Sequence, residues 1–269
     1  GNVNVWCEPI ADFSAASVCL NDTTIFQDLS NDSIVSWYWD FGDGNTSTIQ
    51  NPTHNYLSCD SFDVQLIVVD IHGCNDTINK YVTVWCLPQA SFTADPVCEG
   101  DTTTIASSSI AGNQPSEPII SWYWSFTNDT NSVVNHLFIP CNNYTESLIV
   151  TDANGCIDTT QGIITVYCNP DANYNVTDEC FDNEQQPIEF YDASSDGSAS
   201  INYWQWTISG GNYVSPYTQD SANTQYHFSS CGLQNFSLYV RDTNNCEDSI
   251  SGNVNVWCEP IADFSAASV

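Results

Sequence analysis

The sequence predicts an all-β fold, built as tandem β-sandwich modules stapled by disulfides. Three observations lead there. Short β-branched and aromatic runs alternate with clusters of Asn, Asp, Gly and Pro, and no segment carries a helical signal. Thirteen cysteines recur at regular spacing. The chain also repeats itself, at two different lengths.

The strand signal is clearest near the N-terminus, where strands are expected at 10–14, 23–28, 34–40, 62–69 and 78–85, with edge strands between 45 and 56. Phe62, Val64, Leu66 and Val68 alternate with polar positions such as Asp63 and Gln65, the pattern of one buried face. His72–Gly73 and Asn154–Gly155 sit where hairpins need a positive φ.

The longer repeat is exact in sequence: residues 1–18 recur unchanged at 252–269, an offset of 251. This implies either one period of a longer polymer or subunits that exchange a shared terminal segment. The looser repeat is read from cysteine spacing, 12, 40, 15, 12, then 12, 43, 15, 12, then 12, 51, 15, 12. Other landmarks keep the same order. SerTrpTyrTrp at 36–39 returns at 121–124 and as AsnTyrTrpGlnTrp at 202–206, and GlyCysAsnAspThr at 73–77 returns as GlyCysIleAspThr (155–159) and AsnCysGluAspSer (245–249). Modules are therefore expected at 7–85, 86–167 and 168–257, preceded by a last strand at 1–6 and followed by a first strand at 258–269.

Thirty-three acidic residues face two basic ones, Lys80 and Arg241, a formal charge of −31. Nucleic acid is excluded as a partner, because phosphate binding needs Lys and Arg. Docking on an anionic membrane is disfavoured, and no run of 18 apolar residues offers a membrane span. Nine Trp and an aromatic content of 13% argue against a disordered acidic tail. Regular cysteines place the chain in an oxidising, extracellular setting. With no signal peptide and no Met, it reads as an interior fragment or processed product.

About seven strands in some 80 residues, with a Trp in a central strand, read as an immunoglobulin-like sandwich. TrpAspPheGlyAspGly at 39–44, AsnProThrHisAsnTyr at 51–56 and the alternating run 62–70 together resemble the PKD domain. Module 2 keeps Trp124, Phe126, His136 and Phe138 but has SerPheThrAsnAsp at 125–129. Module 3 keeps Trp206, Phe228 and the final hairpin. Those two are assigned through cysteine register. The resemblance implies a spacer or interaction module of secreted and surface proteins. A Cys in the GlyCys-x-AspThr hairpin looks like the arrays of very large bacterial surface adhesins.

In an immunoglobulin-like topology the start of strand A and the F–G turn share one end, and the A–B and E–F loops share the other. That favours Cys7–Cys74 with Cys19–Cys59, Cys86–Cys156 with Cys98–Cys141, and Cys168–Cys246 with Cys180–Cys231, leaving Cys258 unpaired. The alternative joins the A–B loop of one module to the F–G turn of the next and staples neighbours directly. No two cysteines lie closer than 12 residues, which excludes a compact zinc cluster. The short joint at 86–89 holds a Cys and a Pro, so a stiff rod growing by about 35–40 Å per module is expected.

No catalytic arrangement stands out. GlyXSerXGly is absent, and His54, His72, His136 and His227 are scattered, with His54 best read as a packed turn residue. Asp40 and Asp43 are the candidate calcium ligands, with turn hydrogen bonding as the competing role. Asn-X-Ser/Thr places candidate N-glycans at Asn21, Asn31, Asn45, Asn75, Asn128, Asn143, Asn175 and Asn235. An Asp-Thr/Ser pattern in register after the hairpin Cys places candidate O-glycans at Thr77, Thr159 and Ser249, though Asp-Thr also opens a strand well.

The leading expectation is therefore a non-enzymatic structural component of an extracellular fibril or stalk, continued end to end by copies of itself. The alternatives are an adhesin array that binds glycans through aromatics such as Tyr38, Tyr123 and Tyr213, and a spacer array attached to an enzyme.

Overall fold

The computed structural model describes residues 8–31, 33–112, 118–181, 186–258 and 260. Cys7, the terminal strand expected at 1–6 and nearly all of the one expected at 258–269 lie outside the described residues. The described residues contain strands and no helix. They form two compact units. Unit 1 is Gly1–Thr93 with Ile105–Val134 and Thr145–Gly162, and unit 2 is Ala94–Thr104 with Asn135–Tyr144 and Ile163–Val269.

Unit 1 contains a sandwich whose larger sheet runs Val18–Cys19, Asn75–Trp85, Ser61–Asp70, Ile34–Asp40, Thr46–Ser47, and whose smaller sheet runs Phe13–Ala15, Thr24–Asp28, Thr53–His54. The long hairpin pairs Ser61 with Thr83 through Val69 with Asn75, and Gly73 supplies the positive φ of its turn. The period-2 alternation sends Val64, Leu66, Val68, Val82 and Val84 inward against Phe13, Phe26, Trp39 and Phe41, all nearly solvent-free. Trp39 sits edge-on to Phe13 at 5.2 Å and donates its indole N–H to the Ile49 carbonyl at 2.9 Å. Burying a Trp this way leaves no polar atom unpaired. The same device recurs at Trp124, which donates to Asn131 O, and at Trp206 in unit 2, which donates to Ser221 O.

The expected strands at 23–28, 34–40, 62–69 and 78–85 are found within a few residues of those limits. The first one differs. The ladder begins only at Phe13, because the N–H groups of Ile10, Ala11 and Asp12 donate to the side chains of Asn31, Asp76 and Ser30 instead. A short strand, Val18–Cys19, then crosses to the other sheet and lies parallel to the last strand, with Val18 opposite Val84 and Cys19 opposite Trp85. Alternation cannot reveal a two-residue strand.

Unit 1 also holds the strand Ile119–Trp124 on the long strand that ends at Asp152, with Trp124 opposite Leu148. Unit 2 contains the sheet Glu179–Phe181, Glu247–Cys258, Gly232–Asp242, Ile201–Ile208 and the sheet Tyr174–Val176, Ile188–Asp192, Thr224–Phe228, Gly211–Tyr213. Their core is Phe190, Trp206, Tyr226, Phe236, Leu238, Val240, Val254 and Val256 among others. The parallel crossing strand recurs, with Val97 opposite Val166 and Cys180 opposite Trp257.

Candidate functional site

The chemistry that recurs in this chain is its disulfide set, and two local structures position it. The first is the crossing strand. It carries Cys19 to the exit end of the last strand, where Leu20 N–H donates to Trp85 O at 2.8 Å. Cys98 is carried there likewise, with Glu99 N–H donating to Tyr167 O at 2.8 Å. The second is an aspartate-clamped turn. Asp70 Oδ1 accepts the N–H groups of His72 and Cys74, Asp152 Oδ1 those of Asn154 and Cys156, and Asp242 Oδ1 those of Asn244 and Cys246, all at 2.8–3.0 Å. A carboxylate accepting two amides holds the cysteine at a fixed place beyond the hairpin.

The bonds are Cys19–Cys156, Cys59–Cys86, Cys98–Cys246, Cys141–Cys168 and Cys231–Cys258, with Cα separations of 4.9–5.6 Å. These are ordinary disulfide distances. They correct the favoured pairing wherever both of its cysteines are described. Cys19–Cys59, Cys86–Cys156, Cys98–Cys141, Cys168–Cys246 and Cys180–Cys231 do not form. Cys74 carries no bond among the described residues, and the expected pair Cys7–Cys74 falls on Cys7, which lies outside them. Cys258 is paired, not free.

The reason is local. Val84 N–H donates to Asp60 O at 2.8 Å, so the loop holding Cys59 lies against the end of the last strand, and Cys86 follows two residues later. Cys59 is captured by this exit cysteine, 27 residues on, and so are Cys141 and Cys231 by theirs. Cys19 is thereby left for the turn cysteine of the following repeat, the alternative wiring. The exit cysteine as a competitor at that end was missed in the sequence, although the constant 27-residue interval was visible.

Glycines confirm how tightly the joints are built. A Cβ on Gly112 would lie 2.2 Å from Cys86 O, and one on Gly197 would lie 2.2 Å from Cys168 O. Each joint cysteine thus rests on a backbone position that no other residue can fill without movement.

The remaining candidate residues fall into place singly. Asp43 accepts from Asn45 and meets His54 Nε2 at 2.7 Å, and Asp40 Oδ1 accepts the Gly42 N–H at 2.9 Å. Burial raises the Asp43 carboxyl, but His54 and the Asn45 amides outweigh it and hold it below the usual range. His54 is stacked on Phe41 at 4.3 Å, a packed turn residue. Both carboxylates hold the turn. Among the described residues no cluster of three metal-ligating side chains occurs. In the second repeat, which lacks this loop, Glu146 stands at the position of Val64 and its Oε1 accepts from Ser125 Oγ, Phe126 N–H and Ser147 N–H.

Thr77, Thr159 and Ser249 are exposed and in register on the last strands, and Asn21, Asn31, Asn45, Asn75, Asn128, Asn143, Asn175 and Asn235 are exposed as well. Tyr38 and Tyr123 are each 42% exposed. Tyr213 is not a surface aromatic: it is half-buried, donates to Trp206 O at 2.7 Å and packs edge-on against Tyr226.

These features define a chain of tandem immunoglobulin-like β-sandwiches stapled by disulfides. At the level of family, residues 6–84 match the model of the PKD domain. The chain is 45% identical over 71 residues to the pre-pro-metalloprotease PrtV of Vibrio cholerae serotype O1, covering 24% of this chain and 8% of that protein. It is 43% identical over 61 residues to collagenase ColA of Bacillus cereus, covering 23% and 6%. The match thus spans a small fraction of those relatives. Over 96% of this chain, the fold is similar to the N-terminal eight immunoglobulin domains of the Down syndrome cell adhesion molecule (TM-score 0.50, 13% identity, 37% of that structure). Among the described residues no helix is long and apolar enough to cross a membrane.

Proposed function

We propose that this chain is a non-catalytic stretch of an extracellular fibril or stalk, made by end-to-end repetition of its 251-residue, three-module period. The observation that carries the reading is Cys231–Cys258. Cys258 belongs to the copy of residues 1–18, and its bond spans the same 27 residues as Cys59–Cys86 and Cys141–Cys168. The third repeat therefore grips the start of the next period in the manner that the first grips the second. Disulfides at every joint fit an oxidising exterior. Both cations are already engaged, Lys80 with Asp12 at 2.6 Å and Arg241 over the Tyr203 ring, which fits a surface that takes no polyanion. The exposed Thr77, Thr159 and Ser249 would carry glycans on one strand face of each module.

The test is the mass of the native material after denaturation and reduction, with electron microscopy of the unreduced sample. Chains of several periods and long fibres are expected. Discrete particles one period long would overturn the proposal. A second reading, a spacer array on an enzyme, is favoured by the relatives being a metalloprotease and a collagenase. A catalytic domain in the flanking gene sequence would establish it.

A further inference from the structure

Two cysteines among the described residues carry no bond, Cys74 and Cys180. Each is the counterpart of cysteines that are bonded. Cys74 occupies the clamped turn of Cys156 and Cys246, and Cys180 occupies the crossing strand of Cys19 and Cys98. Both long staples follow one rule: the crossing-strand cysteine of a repeat bonds the turn cysteine of the next repeat, Cys19 to Cys156 and Cys98 to Cys246. Applied once more, the rule sends Cys180 to the turn of a repeat after the third. The repeat that begins at Cys258 starts as a copy of the one beginning at Cys7, and the turn cysteine of that copy is Cys74.

We infer that Cys180 of each period is disulfide-bonded to Cys74 of the next copy of this sequence, so that the joint between periods is closed by the same two staples as the joints within one. The inference rests on the proposed end-to-end repetition and adds the bond that locks it.

Both ends are already shaped for it. Cys74 N–H donates to Asp70 Oδ1 at 2.8 Å and Asp70 N–H to Cys74 O at 2.9 Å. The bonded Cys156 has the same two contacts at 2.9 and 3.0 Å, and Cys246 has them at 2.8 and 2.9 Å. The turn is thus set in its bonded form without the bond. Cys180 lies opposite Trp257 in a parallel ladder, as Cys19 lies opposite Trp85 and Cys98 opposite Tyr167. It is exposed, on the strand next to Cys258. The other half of that joint, Cys231–Cys258, is already made.

Bond formation needs a disulfide oxidant, either a small-molecule disulfide or a thiol oxidase of the exterior. The Cys180 thiolate attacks one sulfur of that disulfide and releases the first thiol. The Cys74 thiolate then attacks Cys180 in the mixed disulfide and releases the second. Two protein thiols are oxidised, the oxidant's disulfide is reduced, and the two protons leave on the released thiols.

The test is a two-period chain, residues 1–251 followed by 1–269, with Cys7→Ser and Cys74→Ser in the first period and Cys180→Ser, Cys231→Ser and Cys258→Ser in the second. Oxidised with glutathione disulfide, it should hold no alkylatable thiol and yield a proteolytic fragment joining Cys180 to Cys74. Two alkylatable thiols alongside an intact fragment joining Cys231 of the first period to Cys7 of the second would overturn the inference and leave end-to-end repetition standing. Loss of that fragment as well would overturn both. The converse variant keeps Cys74 of the first period and Cys180 of the second, with Cys7→Ser retained. It should keep two thiols as a monomer and link head to tail between molecules when concentrated. A bond between those two within one molecule would also overturn the inference.

Discussion

Asp76 Oδ2 accepts the backbone N–H of Ala11 at 2.8 Å, across 65 residues of sequence. Asp158 and Ala90 do the same at 2.8 Å, and so do Asp248 and Ala172. The aspartate of the AspThr/AspSer pattern therefore pins the start of each first strand to the base of the last one, while the adjoining hydroxyl stays exposed. Ala11 is buried, so its N–H has no access to water if the acceptor is removed. Asp76→Ala is expected to lower the urea midpoint, and Asp76→Asn, which keeps an oxygen there, to lower it less. Equal midpoints for the two variants would show that the contact is not structural.

Acid should weaken this chain in a defined window. The Ala11 and Thr77 amides hold Asp76 below its ordinary value of 3.8. Asp28 and Asp43 are also held below 3.8. Burial raises both, but the donors Ser30, Gln50 and Trp37 outweigh it at Asp28, and His54 and Asn45 outweigh it at Asp43. Each folded pKa lies below the unfolded one, so this stability is complete above the unfolded value. It is lost as pH falls through the folded values. Urea midpoints followed downward from pH 5 should fall most steeply below about pH 4, and Asp43→Asn should make that fall shallower.

How far the sequence reveals this molecule depends on the range of the interaction. Phe62 to Val68 fixes its own face by alternation, so the long strands are visible. Val18–Cys19 is too short for any period and is set by its partner strand. Without it, Cys19 looks like a loop residue close to Cys59, and the pairing comes out wrong. The repeat itself was legible in the cysteine intervals alone. Which cysteine wins was not, because that depends on Val84 N–H meeting Asp60 O.

Glu146 shows the same limit. It is fully buried where the first and third repeats place Val64 and Phe236, and its Oε2 has no hydrogen-bond partner among the described residues. Its Oε1 gathers the donors of a loop that lacks the Gly42-containing turn. Glu146→Ala should remove an acceptor shared by Ser125 Oγ, Phe126 N–H and Ser147 N–H and destabilise the chain by about 1–3 kcal/mol. Glu146→Gln, which keeps Oε1, should be milder. Urea unfolding monitored by Trp fluorescence reads both.

Gly112 and Gly197 should tolerate no side chain. Ala at either would drive a methyl into a joint carbonyl, and overpacking of this kind costs about 1–3 kcal/mol. Gly44→Ala is the control. It meets nothing within 4 Å, and only its φ of +90° opposes the change. Thermal midpoints should rank the first two variants below the third.

The wiring itself is open to a thiol count. If Cys19 bonds Cys156, then Cys19→Ser frees Cys156 and leaves Cys59 blocked, and alkylation followed by peptide mapping will label Cys156. Label on Cys59 would restore the pairing within one module. The energetic ranking follows from loop length. Cys59–Cys86 closes 27 residues and Cys19–Cys156 closes 137. In the chain-entropy model the two are worth roughly 3.5 and roughly 5 kcal/mol. The shorter loop lies inside the longer one and takes residues out of it, so the true gap is smaller. Its sign is unchanged, because most of the 137 residues lie outside the nested loop. Cys19→Ser should therefore lower the urea midpoint more than Cys59→Ser does.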